Sequence, residues 1–144
     1  MQAKRLGLLL VPLLFLAACE EEKTEARPKP TEPAKIEFAL DDLRYEFADG
    51  RHKYFHARRY TETAGTGITL SGGKVCFEDG KACLSAQVKY RINAGKTLVQ
   101  PDHHVATKRA ADVITIEYWG IDDAGKKLRI KRTLRVAGEK FEVE

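Results

Sequence analysis

The chain has 144 residues, of which 43% are hydrophobic and 32% charged, and its formal net charge at pH 7 is +4. This length allows one domain with appendages and excludes a chain of several domains. The composition is that of an ordinary soluble domain, although an apolar N-terminus raises the hydrophobic share.

The N-terminus has the parts of a signal peptide in the usual order. Lys4 and Arg5 form a positive region, residues 6–15 form a short apolar region, and small residues follow at positions 17 and 18. The apolar region is too short to span ~30 Å of hydrocarbon, and Pro12 interrupts it. The segment therefore predicts an export signal rather than a membrane helix.

The end of this signal, Leu16-Ala17-Ala18-Cys19, resembles the lipobox of bacterial lipoproteins. The resemblance covers residues 1–19 and implies that residues 1–18 are removed and that Cys19 is acylated. The acyl chains on such a cysteine exceed the two hydrophobic signals that stable anchoring needs. The alternative is an ordinary signal peptide that happens to precede a cysteine.

The predicted location is therefore a bacterial membrane surface outside the cytoplasm, with the membrane itself as a partner through the lipid. In many Gram-negative lipoproteins, Asp after the acylated cysteine marks retention in the inner membrane, whereas here the residue is Glu20. We therefore favour the outer membrane, with the domain facing the periplasm. In a Gram-positive source, the protein would lie on the outer face of its only membrane.

Residues 19–35 are predicted to form the lipidated cysteine and a disordered tether. Positions 20–35 hold no large apolar residue but include Pro28, Pro30 and Pro33. Such a segment cannot bury a core, so it should remain disordered or extended. At ~3.1 Å per residue, it would reach at most ~50 Å and would lift the domain clear of the lipid headgroups.

Alternating apolar residues begin at residue 36 and predict strands in the first part of the domain. Residues 36–40 and 43–47 alternate in different phases, so the shift at Asp41-Asp42 indicates a bulge or a strand break. Asp49-Gly50 marks a turn, and residues 52–61 return as the next strand. A short apolar run follows at residues 68–70.

Cys76 and Cys83 remain for a disulfide once Cys19 is assigned to the lipid. Asp79-Gly80 between them is a strong hairpin turn signal. A turn there sets Cys76 opposite Cys83 and places both cysteines on one face of the hairpin. In an exported protein this arrangement predicts a cross-strand disulfide. A redox pair or a metal site is the alternative, but neither CxxC spacing nor a nearby histidine supports it.

Apolar and polar residues also alternate in the second half of the domain. Residues 84–92 form the clearest strand, residues 97–100 form a short one, and residues 106–112 allow one helical turn at most. Residues 113–121 and 127–136 form a second hairpin, in which Tyr118 faces Ile130 and Ile114 faces Leu134. Residues 139–143 could close the sheet.

Seven to nine short strands with Gly-rich turns predict an all-β fold. The most suitable architecture is an antiparallel Ig-like β-sandwich or a small barrel, formed by a single domain over residues 36–144.

Residues suited to catalysis are scarce in this sequence. Ser71 and Ser85 are the only serines, and neither lies in a Gly-x-Ser-x-Gly turn. Neither a His-Glu-x-x-His motif nor a phosphate-binding glycine pattern is present. We therefore expect a protein that is not an enzyme and that needs no cofactor.

Two adjacent histidines make metal binding a candidate function. His103 and His104 follow Pro101-Asp102 in what the sequence predicts to be a loop. Imidazole groups suit zinc or copper, so these two residues are the candidate metal ligands. The alternative is that the histidines are solvated and share no ligand.

A basic stripe is predicted on the last long strand. Lys127, Arg129, Lys131 and Arg135 fall on one side of it. Such a face attracts anionic lipid headgroups, an anionic glycan or an acidic protein, and nucleic acid is not expected at this location. The alternative is an ordinary solvated face of an amphipathic sheet.

Trp119 is the only tryptophan, and its parity is opposite to that of Tyr118. It is therefore predicted on the outer face of the second hairpin, where an exposed tryptophan can anchor an interface. The alternative is that a second sheet or a loop covers it.

Three functions are compatible with these features. The first is a membrane-anchored, non-catalytic lipoprotein that docks on another cell-envelope protein as a binding or assembly module. The second is an inhibitor or immunity protein against an enzyme or toxin in the periplasm. The third is a ligand-binding lipoprotein for a metal or an anionic glycan.

Overall fold

The computed structural model describes residues 29–144. The predicted signal peptide, the lipidation site at Cys19 and most of the predicted tether lie outside these residues. No helix in the described part of the chain is long and apolar enough to cross a bilayer. The chain forms eight strands: β1 (Ile36–Ala48), β2 (Arg51–Glu62), β3 (Ile68–Phe77), β4 (Ala82–Ile92), β5 (Thr97–Thr107), β6 (Ala111–Asp122), β7 (Lys127–Ala137) and β8 (Lys140–Val143).

The strands form two antiparallel sheets that pack face to face. The smaller sheet has the order β1-β2-β5, and the larger has the order β4-β3-β6-β7-β8. The all-β prediction is confirmed, and eight strands lie within the expected seven to nine. Strands β1 and β5 are longer than expected because bulges carry them through changes of phase.

The core lies between the sheets and is rich in tyrosine. Phe38 of β1 stacks on Tyr60 of β2 with ring centroids 4.9 Å apart, and Tyr118 of β6 meets both rings edge-on. Ile114 and Leu134 of the larger sheet are fully buried beside them. Alternate residues of each strand face this core, which explains the period of two in the sequence.

The predicted registers are confirmed. Cys76 lies opposite Cys83, with a disulfide joining them, and Tyr118 lies opposite Ile130. The phase shift at Asp41-Asp42 is a bulge, since β1 slips against β2 between Asp41 and Arg44.

Two local predictions are wrong. Strand β5 continues from Thr97 to Thr107, so its predicted end at residue 100 is too early and the helical turn over residues 106–112 does not form. Pro101 misled the prediction because proline normally ends a strand. An edge strand tolerates it, since one side has no partner that needs its missing N–H.

The last residues of the predicted tether lie against one end of the domain. Ala34 is buried, and its N–H donates to Asp122 Oδ2 at 2.8 Å. The N–H of Lys35 donates to Glu62 Oε1, and the Thr66 hydroxyl donates to the Glu32 carbonyl at 2.7 Å. These contacts fix the point at which the chain enters the domain.

Candidate functional site

One side of the sandwich is open where its two edge strands diverge. The side chains of β4 that face inward become less buried along the strand, from Ile92 at 1% exposed to Leu84 at 71% exposed. Tyr90 and Val88 lie between these extremes. The connection between β4 and β5 therefore closes the sandwich at one end, and no strand within residues 29–144 faces the first half of β4.

This divergence creates a groove of about 380 Å³ between the two sheets. We call it the β4–β5 groove. Its apolar wall is formed chiefly by Val75, Phe77, Leu84, Val88, Tyr90 and Tyr118. Its basic lining residues are Arg51, Arg58, Lys74 and His104, and no acidic residue of the described domain lines it. The Lys74 ammonium group pairs with Glu117, and the His104 ring lies beside Phe55, so neither side-chain head group faces the groove.

Arg58 lies at the inner end of this groove and is only 7% exposed. Its Nε–H donates to Nε2 of His56 at 3.1 Å, and its Nη1 donates to the Tyr118 hydroxyl. The guanidinium carbon also lies 5.8 Å from the centroid of the Tyr118 ring. Both hydrogen-bond acceptors are uncharged, so the positive charge is buried without a counter-ion from these neighbours.

The neighbouring histidines are affected by this charge. Burial, together with the Arg58 charge beside it, lowers the pKa of His56 to about 4. Burial and then the same charge also lower the pKa of His103. His56 is therefore neutral at pH 7, and it accepts from Arg58 at Nε2 when its Nδ1 donates to the Tyr54 carbonyl at 3.1 Å.

The buried carboxylates serve other purposes. Glu62 accepts from the backbone N–H groups of Ala64, Gly65 and Gly95, each at 2.8 Å. Burial raises the pKa of Glu62, but these backbone donors outweigh it and hold that pKa below its usual value. Asp112 and Asp122 are likewise held by nearby backbone N–H groups. These acids fasten loops, and none of them pairs with Arg58.

The strand segment that carries Arg58 is flanked by bulges on both sides. Strand β1 slips against β2 beside Ala57, and β5 slips between its pairings with His56 and Arg58. The extra residues include Asp42 and Asp102, which both adopt a left-handed backbone with φ of 55° and 58°. Bulges of this kind bend a strand and redirect its side chains, and they are frequent beside functional sites.

The structure corrects the position of the two candidate metal ligands. His103 and His104 lie within β5, not in a loop. His103 lies opposite His56 with ring centroids 6.4 Å apart, whereas the His104 ring lies beside Phe55. Over residues 29–144, no group of three or more His, Cys, Asp or Glu side chains is arranged to hold a metal ion.

Trp119 lies on the outer face of the larger sheet, as its parity predicted. It is half-buried because its indole lies across Gly72 of β3, where a Cβ atom would collide with the ring. The Arg129 guanidinium lies 5.3 Å from the ring centroid. Two shallow grooves run along either side of the indole, so Trp119 forms a ridge on this face.

The basic stripe of β7 shares this outer face, but acidic neighbours neutralise part of it. Glu117 pairs with both Arg129 and Lys74, and Glu144 pairs with Arg135 at 2.7 Å. For Lys127 and Lys131, the described residues provide no ion-pair partner. The stripe is therefore less positive than its sequence suggests.

Sequence reasoning missed the groove and Arg58. The signal for Arg58 was present, since it shares its parity with Tyr54, His56 and Tyr60, which all face the core. An arginine on the buried face of a strand is unusual because a buried charge requires compensation. No comparable signal marked the groove, because the alternation of β4 is the same whether or not a second sheet covers it.

The chain matches no protein-family model, and no curated protein is similar to it. Its fold is similar to the crystal structure of a Bordetella pertussis protein that is provisionally assigned as ApaA. The TM-score is 0.53 at 12% sequence identity, and the match covers 79% of this chain and 95% of that chain. At this identity, the likeness shows a shared fold alone.

Proposed function

We propose that this protein is a lipid-anchored, non-catalytic lipoprotein that docks on another cell-envelope protein by binding an extended segment of it in the β4–β5 groove. The observation that carries this proposal is the uncovered inner face of β4. Leu84 and Val88 have the parity of core residues, yet no strand of the described domain covers them.

The edges beside the groove suit an extended partner. Both β4 and β5 are edge strands, so each has one row of backbone N–H and C=O groups without a partner strand within residues 29–144. Such edges pair readily with an added strand, which gains affinity from backbone hydrogen bonds and specificity from side-chain pockets. A strand added to β5 beside residues 103–107 would lie across Leu84 and Val88, away from Val99, and extend the smaller sheet.

The proposed location gives this surface access to partners. With Cys19 acylated and the tether extended, the domain would face the periplasm from the outer membrane, beyond the lipid headgroups. The sequence from residue 1 to 19 supports this placement.

The docking proposal is tested by photo-cross-linking of the full chain in native cells. A photoreactive amino acid replaces Leu84 in one variant and Val99 in the other. Val99 is the matched control because it is an apolar β5 residue that is 52% exposed and lies outside the groove. We expect one dominant protein adduct from position 84 and none from position 99. Identical adducts from both positions, or none from position 84, would contradict the proposal.

The outer face around Trp119 is the second candidate docking surface, because grooves flank its ring and Lys127 and Arg129 lie beside it. Substitution of Trp119 by Ala in the Leu84 cross-linking variant separates the two surfaces. We expect the adduct at position 84 to persist. Its loss would assign docking to the outer face instead.

The identity of the cross-linked protein separates the first two functions. An envelope assembly component would support the binding or assembly module. An enzyme or a toxin would support the inhibitor or immunity alternative.

A further inference from the structure

Arg58 is a buried charge without a counter-ion in the described domain. We propose that Arg58 is the receptor for a carboxylate group, supplied by an acidic side chain that the docked segment carries between apolar ones. This inference rests on the proposed docking function and specifies the chemistry of the partner.

The first argument comes from charge pairing. Eight ion pairs are present within residues 29–144, and none of them includes Arg58. The buried carboxylates Glu62, Asp112 and Asp122 are satisfied by backbone N–H groups elsewhere in the fold. Burial of a charge is costly unless an opposite charge or hydrogen bonds compensate for it. An incoming carboxylate would supply that compensation.

The second argument comes from the position of the guanidinium group. His56 and Tyr118 accept from Nε and Nη1 and therefore fix its orientation. Gly73 allows the Tyr118 ring to lie across β3, because a Cβ atom there would come within 2.7 Å of Cε1 of the ring. A guanidinium carries five N–H donors, so these two bonds leave donors for a ligand. Preorganised donors of this kind favour a planar carboxylate, which can accept two parallel hydrogen bonds.

The third argument comes from the rest of the groove. Its lining contains the cationic side chains of Arg51 and Arg58 and no acidic one, which favours an anionic occupant, whereas Lys74 is already paired with Glu117. Of these two arginines only Arg58 is buried, so a single negative charge balances the interior, whereas a doubly charged phosphate would exceed it. The apolar wall around Leu84 and Val88 favours apolar groups beside that charge.

The chemistry is tested on the folded domain by NMR titration with hexanoate and with hexanamide. These probes have equal length and differ in charge. We expect hexanoate to shift the Arg58 Nε–H signal and the methyl signals of Leu84 and Val88. We expect hexanamide to bind roughly tenfold or more weakly, because a hydrogen bond to a charged group is stronger than one to a neutral group. Equal binding of both probes to the unsubstituted domain would overturn the inference.

Two variants connect this chemistry to the partner. Arg58→Gln removes the charge and should abolish the preference for hexanoate, while Arg51→Gln removes a cation at the exposed part of the groove and should retain it. In cells, Arg58→Gln should reduce the adduct at position 84 roughly tenfold. An undiminished adduct would leave the docking function standing and would refute the role of Arg58. Hexanoate binding without any adduct would instead refute docking and indicate a site for a small apolar carboxylate.

Discussion

At the scale of single residues, the most unusual feature of the interior is the buried side chain of Arg58. Arg58, His56 and Tyr118 form a hydrogen-bonded group that borders the apolar and aromatic core cluster. Parity predicted the inward position of Tyr118 opposite Ile130, whereas the inward position of Arg58 was not predicted, although it shares the parity of Tyr54 and Tyr60. The absence of a counter-ion among residues 29–144 could not be predicted, because it depends on which side chains of other strands approach the guanidinium group.

Protonation of His56 should make stability depend on pH. Its pKa is lowered from 6.5 to about 4 in the folded state, chiefly by burial and secondarily by Arg58. The unfolded chain therefore binds more protons between these values, so the free energy of unfolding decreases as the pH falls from 6.5 towards 4. Urea unfolding at pH 7 and pH 5 measures this decrease, and His56→Gln should reduce it.

Arg58→Met provides a second check on the same group. Because the Arg58 charge contributes to the lowered pKa, its removal should raise the pKa of His56 as followed by NMR. An unchanged His56 titration in Arg58→Met would show that burial alone causes the shift.

The contact between Gly72 and Trp119 gives a prediction for the outer face. Gly72→Ala should displace the indole and cost about 1–3 kcal/mol of stability, because the added Cβ occupies the space of the ring. Since Trp119 is the only tryptophan, its fluorescence reports the displacement directly. The control is a double-mutant cycle with Trp119→Val, in which the cost of Gly72→Ala should largely disappear. Additive costs would mean that Gly72 is required for another reason.

At the scale of strands and hairpins, the sequence was most informative where one face is buried. A register slip of one residue would turn every core side chain outward, so the pairing of Cys76 with Cys83 and of Tyr118 with Ile130 followed from parity. Strand β5 was harder to predict because it lies at an edge, where Pro101 and a left-handed Asp102 are tolerated. The candidate metal ligands were placed in a loop for the same reason.

The disulfide should contribute to stability because the β3–β4 hairpin that it joins has few other contacts at its β4 strand. The first half of β4 pairs with β3 on one side only, and its inner face is open. The Cys76–Cys83 bond closes a short loop with a sequence separation of 7, so its removal should cost about 2–3 kcal/mol. Urea unfolding of the Cys76→Ala/Cys83→Ala variant measures this cost, with Ser85→Ala as a control in the same strand. Equal stability of both variants would assign the hairpin's order to strand pairing alone.

At the scale of the whole molecule, the two unequal sheets explain the open side. Three strands cannot cover five, and the uncovered part falls at β4 because β5 diverges from it. The sequence could not reveal this divergence, since Leu84 and Val88 have the pattern of covered core residues. The sandwich architecture itself was predictable, because many short alternating segments allow few other folds.

The open side should also be the part of the sheets that is least protected from amide hydrogen exchange. Amide hydrogen exchange measures local opening, and segments with few buried contacts open at lower free energy. We therefore expect the amides of residues 82–88 to exchange faster than those around Ile114 and Ile116 in β6, which are fully buried. A synthetic peptide with the sequence of the cross-linked segment should slow exchange in residues 82–88 and in residues 103–107 of β5. Slowing around Trp119 instead, with the groove unchanged, would show that the partner binds the outer face and that the open side is only a weakness of the fold.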